Sequence, residues 1–319
     1  MVQFLIKRLI GLLFVILVVT FLTFIIGYAA PGNPIQVLLG DHPNKALEAK
    51  LMHDYGLDLP WYQQYANFLI RLLHFDLGTS FKTINRPVWA ILSDGVPISA
   101  ELGFWALLLQ IVIGVPLGVI SAIRANTWVD TLNMGVALIV YAVPLFVLGI
   151  LAQFVIIWID KNTGLTWPSA QWGNPWQYSW NDIQYKLVPI LVYAAAGMAY
   201  FSRIARTSML EVLRQDYVRT ARAKGLSERL VNYRHAFRNA LIPLITVLGT
   251  SIGFLVGGAF FVEYVFSIPG IARITIDSIN NLDYPVVQGT TIILAVGVVL
   301  GNLISDLLYT VVDPRIKAE

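Results

Sequence analysis

Long uninterrupted apolar runs alternate along the chain with stretches in which charge and turn residues return. The uncharged runs at 9–30, 102–123, 131–159 and 239–262 each reach the roughly 20 residues that a helix needs to cross a hydrocarbon core. A shorter run at 187–202 and a longer one that begins at Tyr284 and continues past Asp306 complete the pattern. Six spanning helices are predicted, the last over 284–312. The first run follows Lys7 and Arg8 and ends in small residues, as a cleaved leader would. Its apolar core exceeds the about 7–15 residues of such a leader, so it reads as a retained span. Pro116 and Pro144 fall inside predicted spans and are expected to kink them.

Three polar stretches separate the spans. Within 31–99, Trp61, Tyr62, Tyr65, Phe68, Leu69, Leu72 and Leu73 recur at helical spacing. They predict an amphipathic helix that lies on the membrane or caps the bundle. The 160–186 stretch sets Trp167, Trp172, Trp176 and Trp180 among Gly and Pro turns. That is the pattern of aromatic anchors at a headgroup boundary, with docking of an external partner as the second reading. The third stretch, 203–238, is strongly basic.

Composition agrees with the pattern, since 57% of the 319 residues are hydrophobic and 13% charged. The expected class is an all-α integral membrane protein. There is no cysteine, so disulfides and thiolate metal sites are excluded. The net charge of +3 says less than its distribution. Residues 203–238 alone carry nine Arg or Lys, and Lys7, Arg8, Arg124, Arg315 and Lys317 share their side if the N-terminus is cytoplasmic. Basic residues on the other side are diluted and matched by acids such as Asp41, Asp54, Asp58, Asp76 and Asp94. The positive-inside bias therefore places both termini in the cytoplasm, with 31–99 and 160–186 as external loops.

Between Thr207 and Lys224, Leu210, Leu213, Tyr217, Val218 and Ala221 recur every three or four residues. One helix with a single apolar stripe is predicted there. Gly225 supplies its stop and Ser227 is placed to cap the next helix, so 203–238 reads as helix, glycine turn, helix. Pattern alone leaves two uses open. The hairpin could rest on anionic lipid, at about 1 kcal/mol per Lys or Arg, or dock a cytoplasmic protein. A nucleic-acid patch is disfavoured, because a membrane-tethered loop offers little for bases to stack on.

"YVRTARAKG", 217–225, resembles the cytoplasmic signature loop of bacterial ABC-importer permeases. Ala221 and Gly225 match the general form of that loop, while Ile242 and Pro243 lie further from the glycine than it prescribes. The departures follow the "B"-type permeases of the dipeptide/oligopeptide and nickel importers. Landmarks of that subfamily run in order along the chain: "AAPGNP" at 29–34, "YGLDLPWYQQY" at 55–65, "FDLGTS" at 75–80, "DYVRTARAKGLSE" at 216–228, "HAFRNALIP" at 235–243, "FSIPGIA" at 266–272 and "VVDPRI" at 311–316.

The resemblance implies a type I ABC-importer permease fold with six spans and a large external loop between the first two. It implies a homologous second permease, one or two cytoplasmic ATPase subunits and an extracytoplasmic substrate-binding protein as partners, in the inner membrane of a prokaryote. It makes 203–238 a coupling hairpin, with Asp216, Arg219, Thr220, Ala221, Arg222, Lys224 and Gly225 as the residues that meet the ATPase. The chain has no G-x4-G-K-[ST] loop and no H-E-x-x-H, so it is expected to be a non-catalytic subunit. No cofactor is expected in it, ATP and Mg belonging to the partner ATPases, and no nucleic acid.

Polar side chains at membrane depth face protein or water. On that ground Gln110, Tyr141, Gln153, Tyr200, Thr250, Ser251 and Asn302 are candidates for the translocation path. Asn133, Ser202 and Thr246 share that ground, and interhelical hydrogen bonds are the alternative for all of them. Gly249, Gly253, Gly257 and Gly258 permit close helix approach on the fifth span, and Glu263 at its outer end reads as interfacial. Few fixed charges fall inside the spans, which suits diverse peptide cargo. Nickel, glutathione and sugars remain alternatives, and an ion-coupled secondary transporter is the rival class, expected to carry an intramembrane carboxylate.

Overall fold

The computed structural model describes residues 2–39, 44–83, 85–253 and 259–312. Asp41, Gly257, Gly258, Arg315, Lys317 and the end of the "VVDPRI" motif lie outside them. Among the described residues the chain is helical, without a strand beyond one isolated bridge between Thr79 and Pro87.

The first long helix, α1 (Val2–Ala29), is followed by α2 (Pro34–Leu39), α3 (Lys45–Asp54) and α4 (Trp61–Leu73). Asn44 caps α3 by accepting from the backbone N–H groups of Ala46 and Leu47. Glu48 of α3 accepts from Asn33 and Gln36, tying α3 to α2. The aromatic stripe of α4 is used against α1. The Tyr65 hydroxyl donates to Leu17 O at 3.2 Å and its ring lies 5.4 and 5.2 Å from those of Phe21 and Phe24.

The second long helix runs over Val88–Ile123, 36 residues, beginning well before the predicted 102. It consists of α5 (Val88–Leu109), a π-turn at Gln110–Gly114 and α6 (Val115–Ile123). The chain passes Pro116 without ending, because the π-turn just before it absorbs the altered hydrogen-bond register. Pro144 does more than kink. It divides the predicted 131–159 span into α7 (Trp128–Ala142) and α8 (Leu145–Thr163), with Val143 extended between them.

The fourth apolar run, predicted at 187–202, is the centre of the 34-residue helix α9 (Trp180–Leu213). After it come α10 (Asp216–Ala223), the single turn α11 (Glu228–Leu230), a π-turn at Val231–Ala236 and α12 (Phe237–Gly253). The short helices α13 (Phe260–Val265) and α14 (Ile271–Asn280) precede α15 (Tyr284–Val312). Among the described residues five helices are long and apolar enough to cross a membrane: 10–29, 88–123, 145–163, 180–213 and 284–304.

α9 is the axis of the bundle, packing on α5, α6, α7, α8 and α12, while α15 packs between α12 and α1. The approach of α6 to α9 needs glycine, since a Cβ on Gly118 would stand 2.2 Å from Ser202 O. Two apolar cores sit at opposite ends of α9. One gathers Leu102, Trp172, Ile190, Phe266 and Ile268; the other gathers Val115, Phe201, Met209, Ala240 and Leu244.

Two readings are corrected by burial. Trp172 is not a headgroup anchor but a core residue, 1% exposed, whose indole N–H donates to Glu101 Oε2 at 2.9 Å. Glu263 is fully buried rather than interfacial. Its carboxylate accepts from the Ser99 hydroxyl at 2.6 Å and from the backbone N–H groups of Ala272 and Arg273 at 2.9 and 3.2 Å. It thereby caps the start of α14, where orphan N–H groups favour an anion. Gly270 makes room for it, because a Cβ there would lie 2.4 Å from Glu263 Oε2.

Candidate functional site

The basic stretch folds as a protruding hairpin, although not with one helix on its first arm. α9 ends at Leu213, Gln215 turns extended, and α10 starts at Asp216. α10 stops at Ala223, Lys224 follows as its cap, and Gly225 takes a φ of +79°, the left-handed conformation that glycine adopts without strain. Its N–H donates to Arg222 O at 2.9 Å. Ser227 makes no side-chain cap to the following turn. Across the glycine Arg222 Nε donates to Glu228 Oε1 at 2.9 Å, clasping the two arms. Asn239 of α12 donates to the Tyr217 hydroxyl at 2.6 Å, fixing the hairpin to the helix that leaves it.

Most of the apolar stripe points inward, while Tyr217 stays exposed. Val218 and Ala221 are buried with Val231 against Val212, Leu213 and Leu226. Val218 and Ala221 therefore build the hairpin. Of the seven predicted coupling residues Ala221 is buried, and Asp216, Arg219, Thr220, Arg222, Lys224 and Gly225 form an exposed rim. Arg219 lies 3.5 Å from Asp216 on the same face.

A second feature lies further along α9. A cavity of ≈ 170 Å³ opens between α5, α9 and α12, lined by Gln110, Tyr193, Tyr200, Thr250 and Ser251 among others. Four predicted path residues thus meet at one place. Gln110 opens the π-turn of the second long helix, a device that re-aims side chains. Its carboxamide lies over Gly197, where a Cβ would stand 2.1 Å from Gln110 Cδ. Thr250 and Ser251 both donate their hydroxyl protons to Val247 O. Tyr141 is not in the lining but stacks on Tyr200, with centroids 6.0 Å apart and rings 15° from parallel.

The remaining candidates lie elsewhere. Gln153 donates to Ser169 O and Val265 O at 3.1 and 2.8 Å, bracing the 160–186 stretch. Asn302 is half-buried in α15 and does not line the cavity. Asn133 donates to Ser121 and Ser202, an interhelical contact between α6, α7 and α9. Sequence reasoning missed Tyr193, although Tyr193, Gly197 and Tyr200 share one helical face by spacing. It also missed the buried carboxylate Glu101 and placed Glu263 at the interface; both are saturated with donors and neither lines the cavity. Among the described residues no cluster of His, Cys, Asp or Glu could hold a metal.

Comparison with known proteins places these features in a family. Residues 114–318 match the binding-protein-dependent transport system inner membrane component, and residues 1–103 match the N-terminal component of such membrane proteins. The dipeptide transport system permease protein DppB of Bacillus subtilis is 38% identical over 99% of this chain and 98% of its own. The protein of the same name from Escherichia coli strain K12 is 35% identical over 99% of each chain. A probable D,D-dipeptide transport system permease protein from the same strain is 38% identical over 96% of this chain and 95% of its own. Among solved structures, the inward-facing MetNI methionine ABC transporter superposes with a TM-score of 0.55 at 18% identity, over 70% of this chain and 97% of the other. The chain belongs to the binding-protein-dependent transport system inner membrane components and has the type I ABC-importer permease fold. It is a membrane subunit of a binding-protein-dependent ABC importer.

Proposed function

We propose that this chain forms one half of a peptide-conducting channel, paired with a homologous second permease and driven by separate ATPase subunits. The observation that carries the reading is α9, which lines the cavity with Tyr193 and Tyr200 and runs unbroken to Leu213 beside α10. From Tyr200 to Leu213 that is about 20 Å of rigid helix at 1.5 Å per residue. Movement of the exposed Arg219–Lys224 rim is thereby transmitted to the cavity wall. ATP binding closes the ATPases, the hairpin carries the motion into α9 and α12, and the path opens to substrate delivered by an external binding protein. Six spans, cytoplasmic termini and external 31–99 and 160–186 loops belong to this reading.

Peptide cargo is favoured by the full-length likeness to dipeptide permeases and by the cavity itself, whose polar lining is amide and hydroxyl without a fixed charge. Such groups exchange hydrogen bonds with any peptide backbone. Uptake of labelled di- and tripeptides into proteoliposomes holding the chain with its operon partners tests it. ATP-dependent peptide accumulation is expected. Uptake of nickel or sugar instead, or peptide uptake driven by a proton gradient without ATP, would contradict it.

A further inference from the structure

The carboxamide of Gln110 is seated on bare backbone. Its Cδ, Nε2 and Oε1 lie 2.1, 2.4 and 2.4 Å from where a Cβ on Gly197 would stand, so only glycine at 197 lets the side chain rest there. Gln110 is the opening residue of the π-turn in the second long helix. Tyr193 and Tyr200, four residues before Gly197 and three after it on α9, flank the seat on the same helical face. Gln110 and both tyrosines line the ≈ 170 Å³ cavity.

The seat leaves both ends of the carboxamide usable. Among the described residues neither Nε2 nor Oε1 has a protein hydrogen-bond partner, and neither is closed off from the cavity. The other polar groups of the lining offer less. Thr250 and Ser251 have committed their protons to Val247 O at 2.9 and 2.8 Å, and each tyrosine has one hydroxyl. Among the described lining residues Gln110 alone presents a donor and an acceptor side by side in one plane. In an extended peptide the N–H and the C=O of one residue point to the same side, as they do in a hydrogen-bonded pair of an antiparallel sheet. A carboxamide held in place matches that pair. Water satisfies both of its ends when no cargo is present, so the group acts by exchange and needs no permanent occupant.

We infer that Gln110 reads the peptide backbone on the path, its Oε1 accepting from the N–H of one cargo residue and its Nε2 donating to the C=O, or terminal carboxylate, of the same residue. The inference rests on the peptide-channel reading above and assigns its selectivity to one side chain. Gly197 is the positioning residue. Side chains of an extended peptide stand perpendicular to its hydrogen-bonding direction, so the contact requires a backbone and tolerates any sequence.

The test uses the importer with its operon partners in proteoliposomes, supplied with ATP and with binding protein saturated by one of two cargoes. One is alanyl-alanine; the other is its ester analogue alanyl-lactate, in which oxygen replaces the peptide N–H. The same binding protein serves every variant, so a change in the ratio of the two rates belongs to the permease. The wild type should move alanyl-alanine about fivefold faster than the ester, the factor of one net hydrogen bond. In Gln110→Leu, of similar volume, that preference should vanish, alanyl-alanine slowing while the ester keeps its rate. Gly197→Ala should do the same with the glutamine still present, since the displaced atoms are the far end of a flexible side chain and the helix need not distort. No preference in the wild type, an unchanged preference in either variant, or an equal slowing of both cargoes would overturn the role of Gln110 and leave the peptide channel standing. A wild type that moves neither cargo with ATP would overturn the channel reading, and the inference with it.

Discussion

Lys186 Nζ stands 2.7 Å from Glu101 Oε1, and the two side chains are 3% and 0% exposed. Every donor of the ammonium is used, since it also reaches Asn174 O and Gln177 O at 2.7 and 2.8 Å. The second carboxylate oxygen accepts from Trp172 Nε1 and Trp176 N, both at 2.9 Å. The pair therefore binds the 160–186 stretch to α5 and α9. Removing one member leaves an uncompensated buried charge, at a cost of about 3–5 kcal/mol. Lys186→Met should lower the melting temperature of the purified chain, read by tryptophan fluorescence. Glu101→Gln with Lys186→Met should recover part of the loss. Unchanged melting in the single variant would show the pair to be structurally idle.

At the other end of α9, Arg206 meets Asp130 through two bonds, Nε to Oδ1 at 2.6 Å and Nη2 to Oδ2 at 2.7 Å. Asp130 also accepts from Asn126 N at 3.0 Å, so the loop between α6 and α7 is held to the shaft of α9. The planar fork is what a lysine cannot reproduce. Arg206→Lys should keep the charge yet lose about 1.5–3 kcal/mol of stability. Denaturation in detergent that left the variant within 0.5 kcal/mol of wild type, roughly the spread of neutral surface changes, would contradict this.

Gly225 has open space where a Cβ would go, so the effect of replacing it is conformational alone. At a φ of +79° an L-residue costs on the order of 1–2 kcal/mol, less for Asn and most for a β-branched residue. Gly225→Asn should retain transport, whereas Gly225→Val should insert normally but uncouple it. Equal uptake by both variants would show that the tight reversal is dispensable.

His53 and Asp58 form an exposed pair, Nδ1 to Oδ2 at 2.9 Å. The hydrogen bond to Asp58, then its charge, raises the His53 pKa above its ordinary 6.5. The same bond holds the Asp58 carboxyl below its ordinary 3.8. The contribution from His53 is thus full below pH 6.5 and lost as pH rises through its folded pKa. The contribution from Asp58 is lost at the acid end, as pH falls through its depressed value. An NMR titration should place the His53 ring above 6.5 and return it toward that value in Asp58→Asn. A midpoint indifferent to the substitution would refute the pairing.

Much of the fold was legible because apolar runs of membrane length leave few alternatives. Legibility failed where a charge ended a run. Glu101, Lys186 and Asp130 each looked like a boundary, yet each is neutralised by a partner distant in sequence, Glu101 and Lys186 by one another and Asp130 by Arg206, so the helix continues through it. Glu263 was misplaced for the same reason, its partners being Ser99 and the start of α14. In the hairpin the period of Val218 and Ala221 located a helix face but could not say what covered it. The answer was Val231, beyond the glycine. Gln110, Tyr200, Thr250 and Ser251 were found as polar residues in apolar runs, while Gln153 and Asn302 satisfied the same criterion elsewhere.

The central claim is that the exposed rim of α10 receives its motion from a separate ATPase. Co-purification of the chain with its neighbours, comparing wild type with Arg219→Glu/Lys224→Glu, addresses it most directly. The account predicts that an ATPase accompanies the wild-type chain and is lost from the charge-reversed one, while the second permease stays bound to both. Full recovery of the ATPase with the reversed rim would contradict it.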